Sequence, residues 1–155
     1  MSALALTAII VAIAYVDLRR MIIPDALNLV LAGGGVLYHL ATLGRLPLPS
    51  LITAGAIFGL LHVLAALFRR LRGHAGLGRG DIKMAAAAAL WIDPLNVPLF
   101  FMLASASGIA AFILLRARGA RDIHMVRLPF GPFLGAALLC VWAFEARGAL
   151  ADAWI

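Results

Sequence analysis

The 155-residue chain is 65% hydrophobic and 13% charged, with a mean hydropathy of +1.05, against about 45–50% apolar and about 25% charged residues in an ordinary soluble domain. So short a chain has no core large enough to hide that much apolar surface from water, which excludes a soluble globule and makes lipid its main solvent. The net charge of +6 does not point to nucleic acid, because the basic residues fall between long apolar runs, as the topology determinants of a membrane protein do.

Six apolar segments follow in chain order: 2–21, 25–43, 49–68, 81–93, 97–115 and 131–146. They predict an all-α, polytopic membrane protein with six transmembrane helices and one domain over 1–155. The first segment has no Lys or Arg before its apolar run and ends Tyr15-Val16-Asp17-Leu18-Arg19-Arg20. That is not a small-residue cleavage site, so the segment reads as a retained helix. The breaks carry Pro24, then Gly44, Pro47 and Pro49, then the stretch 73–80, then Pro94, and last the basic stretch 116–130.

Arg19, Arg20, Arg69, Arg70, Arg72, Arg79, Lys83, Arg116, Arg118, Arg121 and Arg127 follow segments 1, 3 and 5, eleven of the thirteen basic residues; only Arg45 and Arg147 fall on the other side. The positive-inside rule places the first group in the cytoplasm and both termini on the non-cytoplasmic side. Gly55 with Gly59, Gly131 with Gly135, Gly33–Gly35 and Ala104–Ala111 read as sites of close helix packing. The single cysteine, Cys140, reads as a small buried apolar residue.

Seven acids are available for chemistry: Asp17, Asp25, Asp81, Asp93, Asp122, Glu145 and Asp152. Asp17 lies about 24 Å along the first helix, short of the hydrocarbon thickness of about 30 Å, so it stays near membrane depth. Asp81 opens a segment of only about 18 Å after the flexible Gly76-Leu77-Gly78-Arg79-Gly80. Both fall on the cytoplasmic side by the charge count and can face each other. The plain structural alternatives are an N-cap for Asp81 and a pairing of Asp17 with a nearby Arg. Ionisable groups at membrane depth cost about 2.5–3.5 kcal/mol on insertion scales and mark function. Facing carboxylates share a proton, so one acts as base on water and the other as acid on a carbonyl oxygen. Gly78 and Gly80 admit a substrate backbone, and Lys83 reads as a group that biases the pair's charge or meets the lipid interface.

The remaining candidates have simpler readings. Asp25 after Pro24 reads as a helix cap, Asp93 before Pro94 as a turn, and Asp122 as a solvated loop acid. His39, His62, His74 and His124 show no metal-ligand spacing, so no metal or other cofactor is expected. No Gly-x-Ser-x-Gly or Cys/His arrangement suggests a covalent nucleophile. A small ion-coupled transporter is the alternative use of paired intramembrane carboxylates; it predicts inverted repeats, and none is evident.

Asp17-Leu-Arg-Arg-Met-Ile-Ile-Pro24-Asp25-Ala-Leu27 resembles the first aspartate motif of the type IV prepilin peptidase family. Gly78-Arg79-Gly80-Asp81-Ile82-Lys83 is similar to its Gly-x-Gly-Asp-x-Lys motif, and Leu128-Pro129-Phe130-Gly131-Pro132-Phe133-Leu134 to its Pro-Phe-Gly-Pro motif. The resemblance implies a six-helix aspartyl endopeptidase of the cytoplasmic (inner) membrane, with Asp17 and Asp81 catalytic. Pro24, Asp25, Gly78, Gly80, Lys83, Pro129, Phe130, Gly131 and Pro132 would support the site or the substrate loop. The implied substrates are prepilins or pseudopilins of a type IV pilus or type II secretion system, cut at the cytoplasmic membrane face. Membrane lipid is the other partner. Long bacterial members carry an N-terminal insertion with paired Cys-x-x-Cys motifs and also N-methylate the product; this chain lacks that region, so methyl transfer is not expected.

Overall fold

Lipid offers no partner for an exposed peptide group, so an apolar run satisfies its N–H and C=O groups within its own helix. The computed structural model describes residues 2–73, 76–118 and 128–152. Among them are six α-helices and no strand: α1 (Ser2–Arg20), α2 (Asp25–Leu43), α3 (Leu48–Arg72), α4 (Arg79–Ala88), α5 (Val97–Ala117) and α6 (Gly131–Asp152). Each expected apolar segment overlaps one helix; α3, α5 and α6 run past their expected ends, and α4 begins at Arg79. By length and composition, three stretches are long and apolar enough to cross a membrane: Asp25–Leu43, Leu48–Arg72 and Pro94–Ala117. Arg121, Asp122, His124, Arg127 and His74 lie outside the described residues.

The helices stop where the sequence removes the means to continue. Gly44 and Gly73 adopt left-handed backbone (φ 64° and 75°), and their N–H groups donate back to Leu40 O and Arg69 O, the usual end of a helix at glycine. α1 ends the same way without a glycine. Met21 stands at φ 52°, and its N–H donates to Asp17 O at 2.8 Å.

The fourth segment, read as running unbroken over 81–93, is divided in the structure. α4 ends at Ala88, residues 89–92 turn, and Asp93 Oδ1 accepts from Leu95 N–H at 2.8 Å to start a 3-10 turn over Pro94–Asn96. Ten residues of α4 rise only about 15 Å. This short helix is the centre of the molecule. It packs against α2, α3 and α6, while α1 packs on α2 and α6, and α5 on α6. Ile82, Met84, Ala85, Ala87 and Ala88 are all buried. Its alanines let the neighbours approach closely, the packing that lipid-embedded helices require. α2 comes nearest at Gly35, where a Cβ would stand 2.8 Å from Leu90 O. Trp91 Nε1 locks that contact by donating to Leu31 O at 2.8 Å.

The outer surface is apolar. Leu4, Leu29, Leu37, Ile52, Val63 and Ile109 are all exposed, and apolar cover of that extent belongs against lipid. Two packing expectations need correction. Cys140 is exposed on α6, not buried. A Cβ on Gly55 or Gly59 would meet nothing within 4 Å, so this pair mediates no packing among the described residues. The second pair behaves as expected: a Cβ on Gly135 would stand 2.5 Å from Ile10 Cγ2, and one on Gly131 would press on Asp17.

Candidate active site

Three chain segments meet at one end of the bundle: the last turn of α1, the first turn of α4, and residues Leu128–Gly131 that lead into α6. Asp17, Met21, Gly76, Leu77, Gly78, Asp81, Leu128, Pro129 and Phe130 line a cavity of about 570 Å³ there. A second recess of about 250 Å³ shares Asp17, Met21, Gly78 and Asp81 and extends along Ile22, Ile23, Arg79 and Gly80. The two aspartates are therefore shared by both recesses. A larger cavity of about 630 Å³ lies at the opposite end, lined among others by Tyr38, His39, Arg45, Trp142 and Glu145, and is remote from both.

Asp17 is 4% exposed, one of three buried polar or charged residues among those described. Its Oδ2 accepts from Gly131 N–H at 2.8 Å. Gly131 is the first residue of α6, and a helix's first N–H groups have no partner within the helix. Asp17 thus satisfies an orphan donor at the positive helix end, a setting that suits a carboxylate. A Cβ at Gly131 would lie 2.8 Å from that same Oδ2, so any side chain there displaces the carboxylate. The alternative pairing of Asp17 with Arg19 or Arg20 does not form. Among the described residues the ion pair is Lys83 with Asp25, and the Arg19 guanidinium lies 5.6 Å from the Tyr15 ring centre.

Asp81 does not occupy the N-cap position read from the sequence. Gly78 does, in extended conformation, and Asp81 is the third residue of α4. The carboxylate folds back over the helix start: a Cβ on Gly78 would meet Asp81 Oδ2 at 2.5 Å. Asp25 is not a cap either. Pro24 takes that position, with no side-chain capping bond. Asp25 Oδ1 instead accepts from Lys83 Nζ at 2.6 Å, so Lys83 is engaged with α2.

The Leu128–Pro132 segment has legible parts. Pro132, one residue into α6, lies where a missing N–H costs nothing. Phe130 and Pro129 wall the cavity, and Phe130 packs where Gly108 of α5 leaves space, 3.2 Å from a would-be Cβ. The structure thus brings Asp17, Asp81, Gly78, Pro129, Phe130 and Gly131 together, with Gly80 on the adjoining recess. Pro24, Asp25 and Lys83 line neither recess; Asp25 and Lys83 line a separate cavity of about 330 Å³ with Asn28. No group of three or more His, Cys, Asp or Glu side chains suited to a metal occurs among the described residues.

Sequence reasoning missed Met21 and Asn28. Met21 lines both recesses in a backbone conformation uncommon for a non-glycine residue, the kind of strain that gathers at functional sites. Its signal was a helix end with no glycine. Asn28 is 5% exposed, and its Nδ2 donates to Gly80 O at 3.4 Å; the signal was an amide one turn after Asp25 in an otherwise apolar run.

Comparison with known proteins finds a family whose match takes in the first two of these segments, with Asp17 and Asp81. The model of the type IV leader peptidase family matches residues 4–115. A "Prepilin leader peptidase/N-methyltransferase" of Aeromonas salmonicida (strain A449) is 37% identical over 142 residues, covering 88% of this chain and 47% of the relative. Proteins of the same name from Dickeya chrysanthemi and Neisseria gonorrhoeae are 34% and 32% identical, over 88% and 84% of this chain and 48% and 44% of theirs. The chain spans about half the length of the curated relatives it matches. No solved structure matches.

Proposed function

We propose that this chain, which belongs to the type IV leader peptidase family, is a membrane-embedded aspartyl endopeptidase that removes the short basic leader from prepilins or pseudopilins. The observation that carries the reading is the shared cavity. Asp17 and Asp81 come from helices 64 positions apart in sequence (81 less 17) and line the same two recesses.

The mechanism follows from what the residues can do. A peptide laid through the shared recesses presents its scissile carbonyl to the two carboxyl groups. Like charges so close do not both ionise easily, so the pair holds one proton. The carboxylate takes a proton from water as the water attacks the carbonyl carbon. The carboxylic acid protonates the carbonyl oxygen, giving a neutral tetrahedral diol. Collapse of the diol returns protons to the pair and to the departing amine. Gly131 N–H holds Asp17 Oδ2 as an acceptor, and on that ground Asp17 is assigned as the carboxylate in the attacking step and Asp81 as the acid.

The bundle is oriented with the Asp17–Asp81 end at the cytoplasmic face, on the strength of the eleven-to-two distribution of basic residues, and all six helices lie within the inner membrane. Arg70→Cys and Leu46→Cys, each in a Cys140→Ser background and labelled with an impermeant thiol reagent in oriented vesicles, test this: position 70 reacts from the cytoplasmic side and position 46 from the other. The printed name of the relatives pairs the peptidase with an N-methyltransferase; the proposal covers the peptidase step alone. Family membership favours it over an ion-coupled transporter.

The experiment is cleavage of a prepilin with a basic leader and a glycine before the cut, by the purified chain in liposomes near neutral pH. Release of the leader supports the reading. No cleavage of several prepilins by folded protein overturns it.

A further inference from the structure

Two links tie the first turn of α2 to the first turn of α4, and they flank Asp81. Before it, Gly80 O accepts from Asn28 Nδ2 at 3.4 Å. After it, Lys83 Nζ donates to Asp25 Oδ1 at 2.6 Å. A third contact lies between them: the backbone at Gly80 passes so close to Ile23 that a Cβ would stand 3.0 Å from Ile23 Cβ.

The other end of this linkage is Asp17. Only residues 18–24 separate it from Asp25, and that connector is constrained. Met21 N–H is bonded to Asp17 O, Ile23 is buried, and Pro24 fixes its own φ and removes a donor. The path from Asp17 through Met21, Pro24 and Asp25 to Lys83 and Asp81 is a continuous run of covalent and hydrogen-bonded links.

We propose that Asp25, Asn28 and Lys83 are positioning residues, a clamp from α2 onto α4 that sets where Asp81 stands relative to Asp17. The inference rests on the peptidase reading only for its kinetic arm. The side chains of Lys83 and Asp25 are 40% and 68% exposed, and an ion pair so accessible to solvent contributes little to stability. Its value is geometric, because reacting groups tolerate little displacement: a shift of about 1 Å costs about 100-fold in rate.

The test uses the chain with Cys140→Ser. Asn28→Ala and Lys83→Met each lower kcat about 10- to 100-fold and leave KM within about twofold, with the unfolding temperature in detergent close to that of the parent. The charge exchange Asp25→Lys with Lys83→Asp restores most of the kcat lost in Lys83→Met. A second arm needs no activity: with cysteines at 17 and 81, a short bifunctional thiol reagent cross-links the parent efficiently and the Asn28→Ala and Lys83→Met forms poorly. Unchanged kcat and cross-linking in both variants overturn the proposal. So does a loss that tracks the unfolding temperature, or one the charge exchange does not relieve. A parent that cleaves no prepilin counts against the peptidase reading, while the cross-linking arm still decides on the clamp.

Discussion

The two ends of the bundle both carry acids, and they use them differently. At the end remote from the aspartate cavity, Glu145 Oε1 accepts from Asp93 N–H at 2.9 Å and from Asn96 Nδ2 at 2.7 Å. Asp93 Oδ1 caps the next turn. These carboxylates join α6 to the link between α4 and α5, and every bond they make is internal to the fold. At the other end Asp17 takes one backbone donor and lines, with Asp81, a cavity of about 570 Å³. An acid near a membrane helix is thus not a site by itself. Asp93 and Glu145 also line a cavity; the distinction is that Glu145 binds the Asp93 backbone and the two acids tie elements of the fold together, whereas Asp17 and Asp81 share two recesses with no such bond between them.

The largest effect that would sharpen this contrast is at the cavity. Asp17→Asn and Asp81→Asn each lower leader cleavage by about 10²–10⁴-fold without changing the unfolding temperature appreciably. Retained cleavage in either variant removes that residue from the pair. Next is Gly131→Ala, whose new methyl displaces Asp17 Oδ2. We expect a loss of about 10- to 100-fold in kcat, and an unchanged kcat would mean the Gly131 bond does not hold the carboxylate in place.

At the remote end the expected signature is reversed. Glu145→Ala leaves Asp93 N–H and Asn96 Nδ2 without their acceptor and costs about 1–3 kcal/mol of stability, while cleavage per folded molecule is unchanged. A selective kinetic defect there would break the comparison. The smallest effect separates the two glycine pairs. Gly55→Ala meets open space and is neutral or stabilising by up to about 1 kcal/mol. Gly135→Ala forces Ile10 aside and is destabilising by about 1–3 kcal/mol. Equal unfolding temperatures for these two variants would contradict the packing described.

Much of this was legible in the sequence, for identifiable reasons. Hydropathy and Pro/Gly breaks place six helical segments because lipid permits little else. Asp17 and Asp81 stand out because a carboxylate in an apolar run needs a reason to be there. What escaped is tertiary. Whether Gly55 or Gly135 faces a neighbour depends on helix rotation, which residue spacing alone leaves undetermined. Cys140 faces outward for the same reason, since in lipid an exposed position can be as apolar as a buried one. Asp25 reads as a cap until α4 brings Lys83 beside it across 58 positions. The bond from Gly131 to Asp17 spans 114 positions and uses a main-chain donor, which has no residue-type signature.

The central claim is that Asp17 and Asp81 act as one unit, and the double variant Asp17→Asn/Asp81→Asn tests it most directly. Residues that work as a unit are strongly non-additive. Measured by prepilin cleavage in liposomes beside both single variants, the double variant should lose no more rate than the more damaging single one. A double loss equal to the product of the two single losses would mean the aspartates contribute independently, and would contradict the account.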